Sequence, residues 1–482
     1  MPLFVLLVEI CGIVLQHSTP PHFQHCKFTK KYNTTNNIFL FLHKIFHVNR
    51  SILKLAIPNI ISNITIPLLG LVDMMLMGHL SSPIYIGAIA LGGTIFSVLY
   101  SFFSFLRAGT TGFTAQSFGA SDFSEISYSL YRSMTIAILA FILILCIQEP
   151  IARLSLALLD GSDDLKNLAI SYFFVRIWAA PANMMLYCFN GWFIGMQNTK
   201  IPMVIAIIIN VLNIVFSIFF VVVMKQDVVG VALGTVIAQY CGLLTALIFL
   251  FTKYKKYLIK IDIHILLNIN KIKRFFKVNT DLMIRSILLV FTIAFFTNQS
   301  ARLGDNILSI NMILLQFFYI FSYFTDGFAY AGEALVGKYI GAKDSGNLRS
   351  VVMHLFKWGA YISVPFAIIY AFFPTPFVKM ISDQPIIIEQ IQPYYIYMVL
   401  IPIITFAAFL WDGIYIGATA SKAIRNTMII SSIVVFLPLW YLLLPVYGNH
   451  GLWIAFLSFM LARGISMTFF AKKNILQIVN NQ

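Results

Sequence analysis

The sequence predicts an all-α membrane protein of twelve transmembrane helices in two six-helix lobes related by pseudo-two-fold symmetry. Three observations predict it. Of the 482 residues, 59% are hydrophobic and 11% charged, whereas soluble domains carry about 25% charge. The apolar residues fall into twelve runs, most near the ~20 residues that cross a bilayer as a helix. Motifs of the first half also recur in the second at one offset.

The runs cover residues 55–80, 84–106, 129–151, 167–192, 201–224, 229–252, 282–302, 306–330, 351–373, 391–416, 426–446 and 450–471. They divide the chain into a lead-in (1–50), an N-terminal lobe (51–252), a basic linker (253–281), a C-terminal lobe (282–472) and a tail (473–482). The lead-in is irregular. His17, His22, His25 and Cys26 resemble a metal cluster in composition, but Pro20 and Pro21 interrupt them, and a disordered or over-extended start is the expected reading. Cys11, Cys26, Cys146, Cys188 and Cys241 show no paired spacing, so neither a disulfide framework nor a zinc site is expected.

The first run, LAIPNIISNITIPLLGLVDMMLMGHL, holds one ionisable residue in its interior, Asp73. A charge at mid-membrane costs roughly 2.5–3.5 kcal/mol on insertion scales, and intramembrane acids mark ion pathways more often than static pairs. At helical spacing Asn59, Asn63, Ile66, Gly70 and Asp73 share a stripe. Pro58 and Pro67 each remove a backbone hydrogen bond, so a bend is expected. The fourth run places Tyr172, Arg176, Asn183, Tyr187 and Asn190 on one stripe. The fifth holds Asn210, Asn213 and Ser217, and the sixth Thr235 and Gln239. With Asp73 these form a polar lining in the N-terminal lobe. Any one Asn, Ser or Thr could equally serve an interhelical hydrogen bond of about 0.6 kcal/mol. Arg176 could pair with Asp73 or reach out to the membrane interface.

Basic residues collect before the first run, in the linker (Lys253, Lys255, Lys256, Lys260, Lys271, Lys273, Arg274, Lys277) and after the last run (Lys472, Lys473). This pattern predicts cytoplasmic termini and a cytoplasmic linker. The net charge of +15 is therefore a topology signal rather than a nucleic-acid surface.

The repeat is carried by Phe118-Gly119-Ala120-Ser121-Asp122, which returns as Ile340-Gly341-Ala342-Lys343-Asp344, 222 positions later (344 − 122). Gly195, Lys200 and Tyr172 recur as Gly417, Lys422 and Tyr394 at the same offset, and Gly230 as Gly451 at 221. Six spans per lobe is an even number, so the lobes share one orientation and an axis along the membrane normal, as in transporters that rock about a central cavity. In the second lobe Asp326, Glu333 and Asp412 are further intramembrane acids, with Lys338 or Arg285 as possible partners. Asp412 is the repeat counterpart of Asn190.

The first run, together with FLRAGTTGFTAQSFGASD (105–122), WFIGMQNTKIPM (192–203) and DGFAYAGEALVGKYIGAKD (326–344), resembles the multidrug and toxic compound extrusion (MATE) transporters, DinF branch, over residues 50 to 472. The resemblance implies a V of two bundles and cation-coupled export of bulky, often cationic amphipathic compounds by a multi-pass protein of the inner membrane. It implies coupling roles for Pro58, Asp73, Tyr172, Asn213 and Thr235, and a substrate contact at Asn190. Where the family has an aspartate four residues after the fifth-helix asparagine, this chain has Ser217. That favours a proton, rather than sodium, as coupling ion.

The resulting expectation is a proton antiporter with no cofactor, no bound metal and no enzymatic activity. Asp73, Asn213, Thr235, Ser217, Tyr172 and Pro58 would carry coupling. Asn190, Asn183, Tyr187, Asn210, Gln239 and Asp412 would line the substrate path. Its partners would be small amphipathic drugs or metabolites and the lipid bilayer, not nucleic acid, with the chain acting as a monomer. A sodium-coupled exporter is one alternative. A flippase of a lipid-linked precursor is another, but it would want a cavity rich in Arg and Lys.

Overall fold

A computed structural model describes residues 46–65, 84–158 and 162–476. The chain forms two compact units, Met1–His47 and Val48–Gln482, and the fold considered below is the second. Asp73, Pro67, Gly70 and Ile66 lie outside the described residues, as do His17, His22, His25, Cys11 and Cys26. Among the described residues Cys146, Cys188 and Cys241 are free thiols.

The described chain is almost wholly helical. The N-terminal lobe contains α1 (48–65 within this unit), α2 (Ile84–Phe103), α3 (Phe105–Gly119), α4 (Phe123–Cys146), α5 (Asp163–Arg176), α6 (Ala180–Gly195), α7 (Lys200–Ile218) and α8 (Val228–Lys253). The C-terminal lobe contains α9 (Ile269–Arg302), α10 (Asp305–Gly341), α11 (Ser345–Phe372), α12 (Tyr395–Gly417), α13 (Ser421–Ile429), α14 (Leu437–Tyr447) and α15 (Asn449–Ala471). Among the described residues ten helices are long and apolar enough to cross a membrane. The fourth predicted span is the helical run 163–195, in which a 3-10 turn at Ile177–Ala179 joins α5 to α6. The helical run of α1 continues through Pro58.

Three expected limits move outward. The second span continues from α2 into α3 and ends at Gly119, not near 106. The seventh starts at Ile269, not near 282, so the region expected as linker already contains the first turns of α9. The eighth ends at Gly341, not near 330. In each case the extension is too polar to be read as an apolar run; those of α3 and α10 are largely buried against protein, whereas that of α9 buries one face, with Phe275, Val278, Asn279 and Asp281. The remaining linker docks on α4. Tyr131 donates to the Ile259 carbonyl at 2.9 Å and Arg132 donates to the Ile265 carbonyl at 3.2 Å, while Lys271 in the first turn of α9 pairs with Glu125.

The side chains sort as a bilayer requires. Leu139, Leu143, Val222, Leu244, Phe251, Val364, Leu442 and Phe469 are exposed, on faces that lipid would cover. Two buried clusters fill the interior, one running from Val48 through the N-terminal lobe to its junction with α10 and α12, the other inside the C-terminal lobe.

The junction of the lobes is reciprocal. A Cβ at Gly119 would stand 1.8 Å from the Lys338 carbonyl oxygen, and one at Gly341 would stand 1.9 Å from the Gln116 carbonyl oxygen. Each contact is the other displaced by 222 residues, the signature of a two-fold contact. The same symmetry governs the turns that follow. Ser121 and Lys343 take φ of 55° and 54°, and Gln197 and Thr419 take 63° and 51°. Asp122 caps α4 by accepting from the Glu125 amide at 3.0 Å, and Asp344 caps α11 by accepting from the Asn347 amide at 2.9 Å. Gln197 donates across to the Ala334 carbonyl at 2.8 Å and Gln116 to the Gly417 carbonyl at 2.9 Å.

Such contact leaves no room for a methyl group. Gly119→Ala should lower stability by about 1–3 kcal/mol, the cost of overpacking, seen as a lower melting temperature of the purified protein. Gly93→Ala, where nothing lies within 4 Å of the added carbon, should melt like the parent. Equal melting of the two variants would contradict the seam as described.

Candidate functional site

In the N-terminal lobe α7 and α8 approach closely at Gly234, where a Cβ would stand 2.8 Å from the Ser217 hydroxyl oxygen. This approach buries three of the predicted polar residues together. Asn213 donates from Nδ2 to Thr235 Oγ1 at 2.8 Å, Ser217 donates to Asn213 Oδ1 at 3.4 Å, and Thr235 donates onward to the Val231 carbonyl at 3.0 Å. Asn213 and Ser217 are completely buried. The three form a closed chain in which each hydroxyl or amide has a partner, as a buried polar layer requires. One turn away, Asn210 donates to the Thr65 carbonyl of α1 at 3.3 Å.

Tyr172 is buried in a second group. Its ring meets Phe96 edge-on at 6.4 Å, and Arg176 donates to its hydroxyl. Arg176 does not reach outward. Its guanidinium lies 5.2 Å from the centre of the Phe96 ring, where cation–π attraction offsets part of the cost of partial burial. Pro58 is buried in α1, and its carbonyl accepts from Ser62 at 3.0 Å. Asn59 donates to the Leu55 carbonyl at 3.0 Å, whereas Asn63 crosses to the other lobe and donates to the Tyr323 carbonyl at 3.2 Å.

The expected substrate-lining residues divide. Tyr187 is partly buried and donates to the Tyr100 carbonyl at 3.4 Å. The Oδ1 of Asn190 is buried without a hydrogen-bond partner. Asn183 and Gln239 are partly buried. Asp73 lies outside the described residues.

The second lobe holds the buried acids that the sequence places there, and Arg285 is the partner of one of them. Asp412 Oδ2 receives Arg285 at 2.8 Å and Arg463 at 2.6 Å. Glu333 is paired in bidentate fashion with Arg107 of α3, at 2.9 and 3.1 Å, and not with Lys338 or Arg285. Lys338 instead lies over the Tyr339 ring at 5.5 Å. The Arg107 guanidinium also covers the Tyr330 ring at 4.1 Å. Sequence reasoning missed Arg107 and Arg463 as structural partners. The available signal was that both are ionisable residues inside apolar runs, which must be paired. Deeper in the C-terminal lobe Asn311 joins Ser300, Asn449 and Trp453, with bonds of 2.8, 2.6 and 2.8 Å.

The MatE family model matches residues 58–219 and 282–442, one match in each lobe. The chain belongs to the MatE family. It is 34% identical to DNA damage-inducible protein F of Escherichia coli (strain K12), over 87% of this chain and 91% of that one. It is 22% identical to the probable multidrug resistance protein NorM of Thermotoga maritima, over 88% and 92%. Among solved structures, the Vibrio cholerae MATE transporter VcmN in its bent form superposes with a TM-score of 0.80 at 17% identity, covering 91% of this chain and 99% of that one. A MATE structure described as bent matches with a TM-score of 0.80 at 18% identity, covering 90% and 97%. This MatE protein thus has the two-bundle fold expected from its repeat. It is a multi-pass membrane transporter of small molecules and not an enzyme.

The buried layer makes a stability prediction. Thr235→Val keeps the shape but leaves the Asn213 amide without its acceptor, at a cost of about 1–3 kcal/mol. Thr235→Ser should restore most of it. A valine variant that melts no lower than the parent would show that the Asn213 bond carries no weight.

Proposed function

We propose that this MatE protein exports amphipathic, often cationic compounds in exchange for protons. The carrying observation is that the position where a second acid would stand beside Asn213 is a serine, and that serine donates a hydrogen bond to Asn213. A bare sodium ion is best held by several oxygens including charged ones, whereas a proton needs one titratable carboxylate, here Asp73. Asn213, Ser217, Thr235, Tyr172 and Pro58 are proposed to position that acid. Asn190, Asn183, Tyr187, Asn210, Gln239 and Asp412 are proposed to line the substrate path.

In this reading the cycle runs by alternating access. A proton from outside neutralises Asp73, the N-terminal cavity contracts, and substrate leaves outward. The proton then departs to the cytoplasm, and the restored carboxylate attracts the next cation. With one proton entering for each monovalent cation that leaves, no net charge crosses, and a pH gradient of about one unit provides about 1.4 kcal/mol, enough for a gradient of about ten-fold. The proposed setting is the inner membrane, with both termini cytoplasmic and the chain acting as a monomer. The lobe seam at Gly119 and Gly341 would then lie on the cytoplasmic side. The flippase reading is disfavoured because Arg107, Arg285 and Arg463 all bind carboxylates and are not held free for a pyrophosphate.

The test is efflux of a fluorescent organic cation from proteoliposomes with proton and sodium gradients imposed separately. The proton gradient alone should drive efflux, and Asp73→Asn should abolish it. Efflux driven only by sodium, or full activity of the variant, would overturn the reading.

A further inference from the structure

The C-terminal side of the junction holds an ionisable group that the coupling scheme above does not use. Asp326 lies on α10, two helical turns before Glu333 and one before Tyr330, so all three share a face. It is partly buried within a membrane span. The acids around it are neutralised. Glu333 is held at both oxygens by Arg107, and Asp412 is held by Arg285 and Arg463 together. Among the described residues Asp326 has no ion pair and no hydrogen bond of its own.

The charged and titratable groups facing Asp326 come from several helices. They are Asp412 of α12, Arg107 of α3, Arg285 of α9, Arg463 of α15, and Glu333, Tyr323 and Tyr330 of its own helix. From α6, Tyr187 faces Arg107 and Tyr330. Three guanidinium groups therefore face three carboxyl groups. With Asp326 ionised the cluster is neutral, and with Asp326 protonated it carries one positive charge. The Oδ1 of Asp412, the Nε of Arg285 and the Nε of Arg463 are buried without hydrogen-bond partners, so the cluster has capacity to rearrange when its charge changes.

We propose that Asp326 is a second proton-binding site, whose occupancy follows its distance from Arg107 across the lobe junction. Protonating Glu333 or Asp412 would break an existing ion pair, whereas protonating Asp326 breaks none. Arg107 belongs to the N-terminal lobe and Asp326 to the C-terminal lobe. At low dielectric the interaction of two unit charges changes steeply with separation, so lobe movement changes the affinity of Asp326 for a proton. The proton arrives from water, forms an O–H bond on a carboxyl oxygen, and leaves to water. No other bond changes.

The proposal rests on the proton-coupled reading, but its test is independent of transport. Infrared difference spectra of the full-length protein in lipid, titrated between acid and alkaline pH, report each protonated carboxyl as a separate band. One such band should vanish in Asp326→Asn and persist in Asp73→Asn. Should the asparagine variant not fold, Asp326→Glu should retain the band with a shifted midpoint. Spectra of Asp326→Asn identical to the parent, or an unshifted band in Asp326→Glu, would overturn the site. If sodium proves to drive export while the band behaves as described, the site stands and only the coupling reading falls.

Discussion

Arg107 and Glu333 meet across the two lobes with both guanidinium ends engaged, and Glu333 is almost wholly buried. Removing one partner of such a pair strands a charge at low dielectric and costs about 3–5 kcal/mol. The pair sits on the same two helices, α3 and α10, that touch backbone to backbone at Gly119 and Gly341. Small residues allow that approach because lipid provides no hydrophobic drive for helices to associate, and close packing must supply it. The glycine contact fixes one end of the junction, and the ion pair bridges the lobes at the other end of α3.

Around this fixed line the lobes treat polarity differently. The N-terminal lobe buries a neutral layer of Asn213, Ser217 and Thr235, whose donors and acceptors satisfy one another. The C-terminal lobe buries formal charge, with Asp412 shared between Arg285 and Arg463. A neutral layer suits a site where one proton decides the charge. A charged layer already in balance suits a site that senses movement, since each ion pair changes when its helices shift.

Much of this architecture was legible in the sequence. The repeat at 222 residues predicted two like-oriented lobes, but not that Gly119 and Gly341 would meet across their junction. The clustering of Asn213, Ser217 and Thr235 followed from helical spacing on adjacent spans. The polar extensions of α3, α9 and α10 were not legible, since a hydropathy run ends where a helix becomes polar, whether protein continues to bury it, as in α3 and α10, or only one face stays buried, as in α9. Partner choice was also hidden. Glu333 and Asp412 had to find cations, but the selection of Arg107 and Arg463 over Lys338 is a matter of tertiary geometry. Arg176 shows the same limit, because the aromatic face that receives it belongs to Phe96 on another helix.

If the lobes rock as proposed, the glycine seam at α3 and α10 is the pivot about which they move. Spin-label distances measured by pulsed electron resonance in lipid address it directly. One pair would be placed beside the seam, at Ala120 and Ala342, and one at the far ends of the lobes, at Met224 and Val446. The seam pair should keep one narrow distance at all pH values and with or without a transported cation, while the distal pair shifts. A seam pair that shifts or broadens as much as the distal pair would contradict the account.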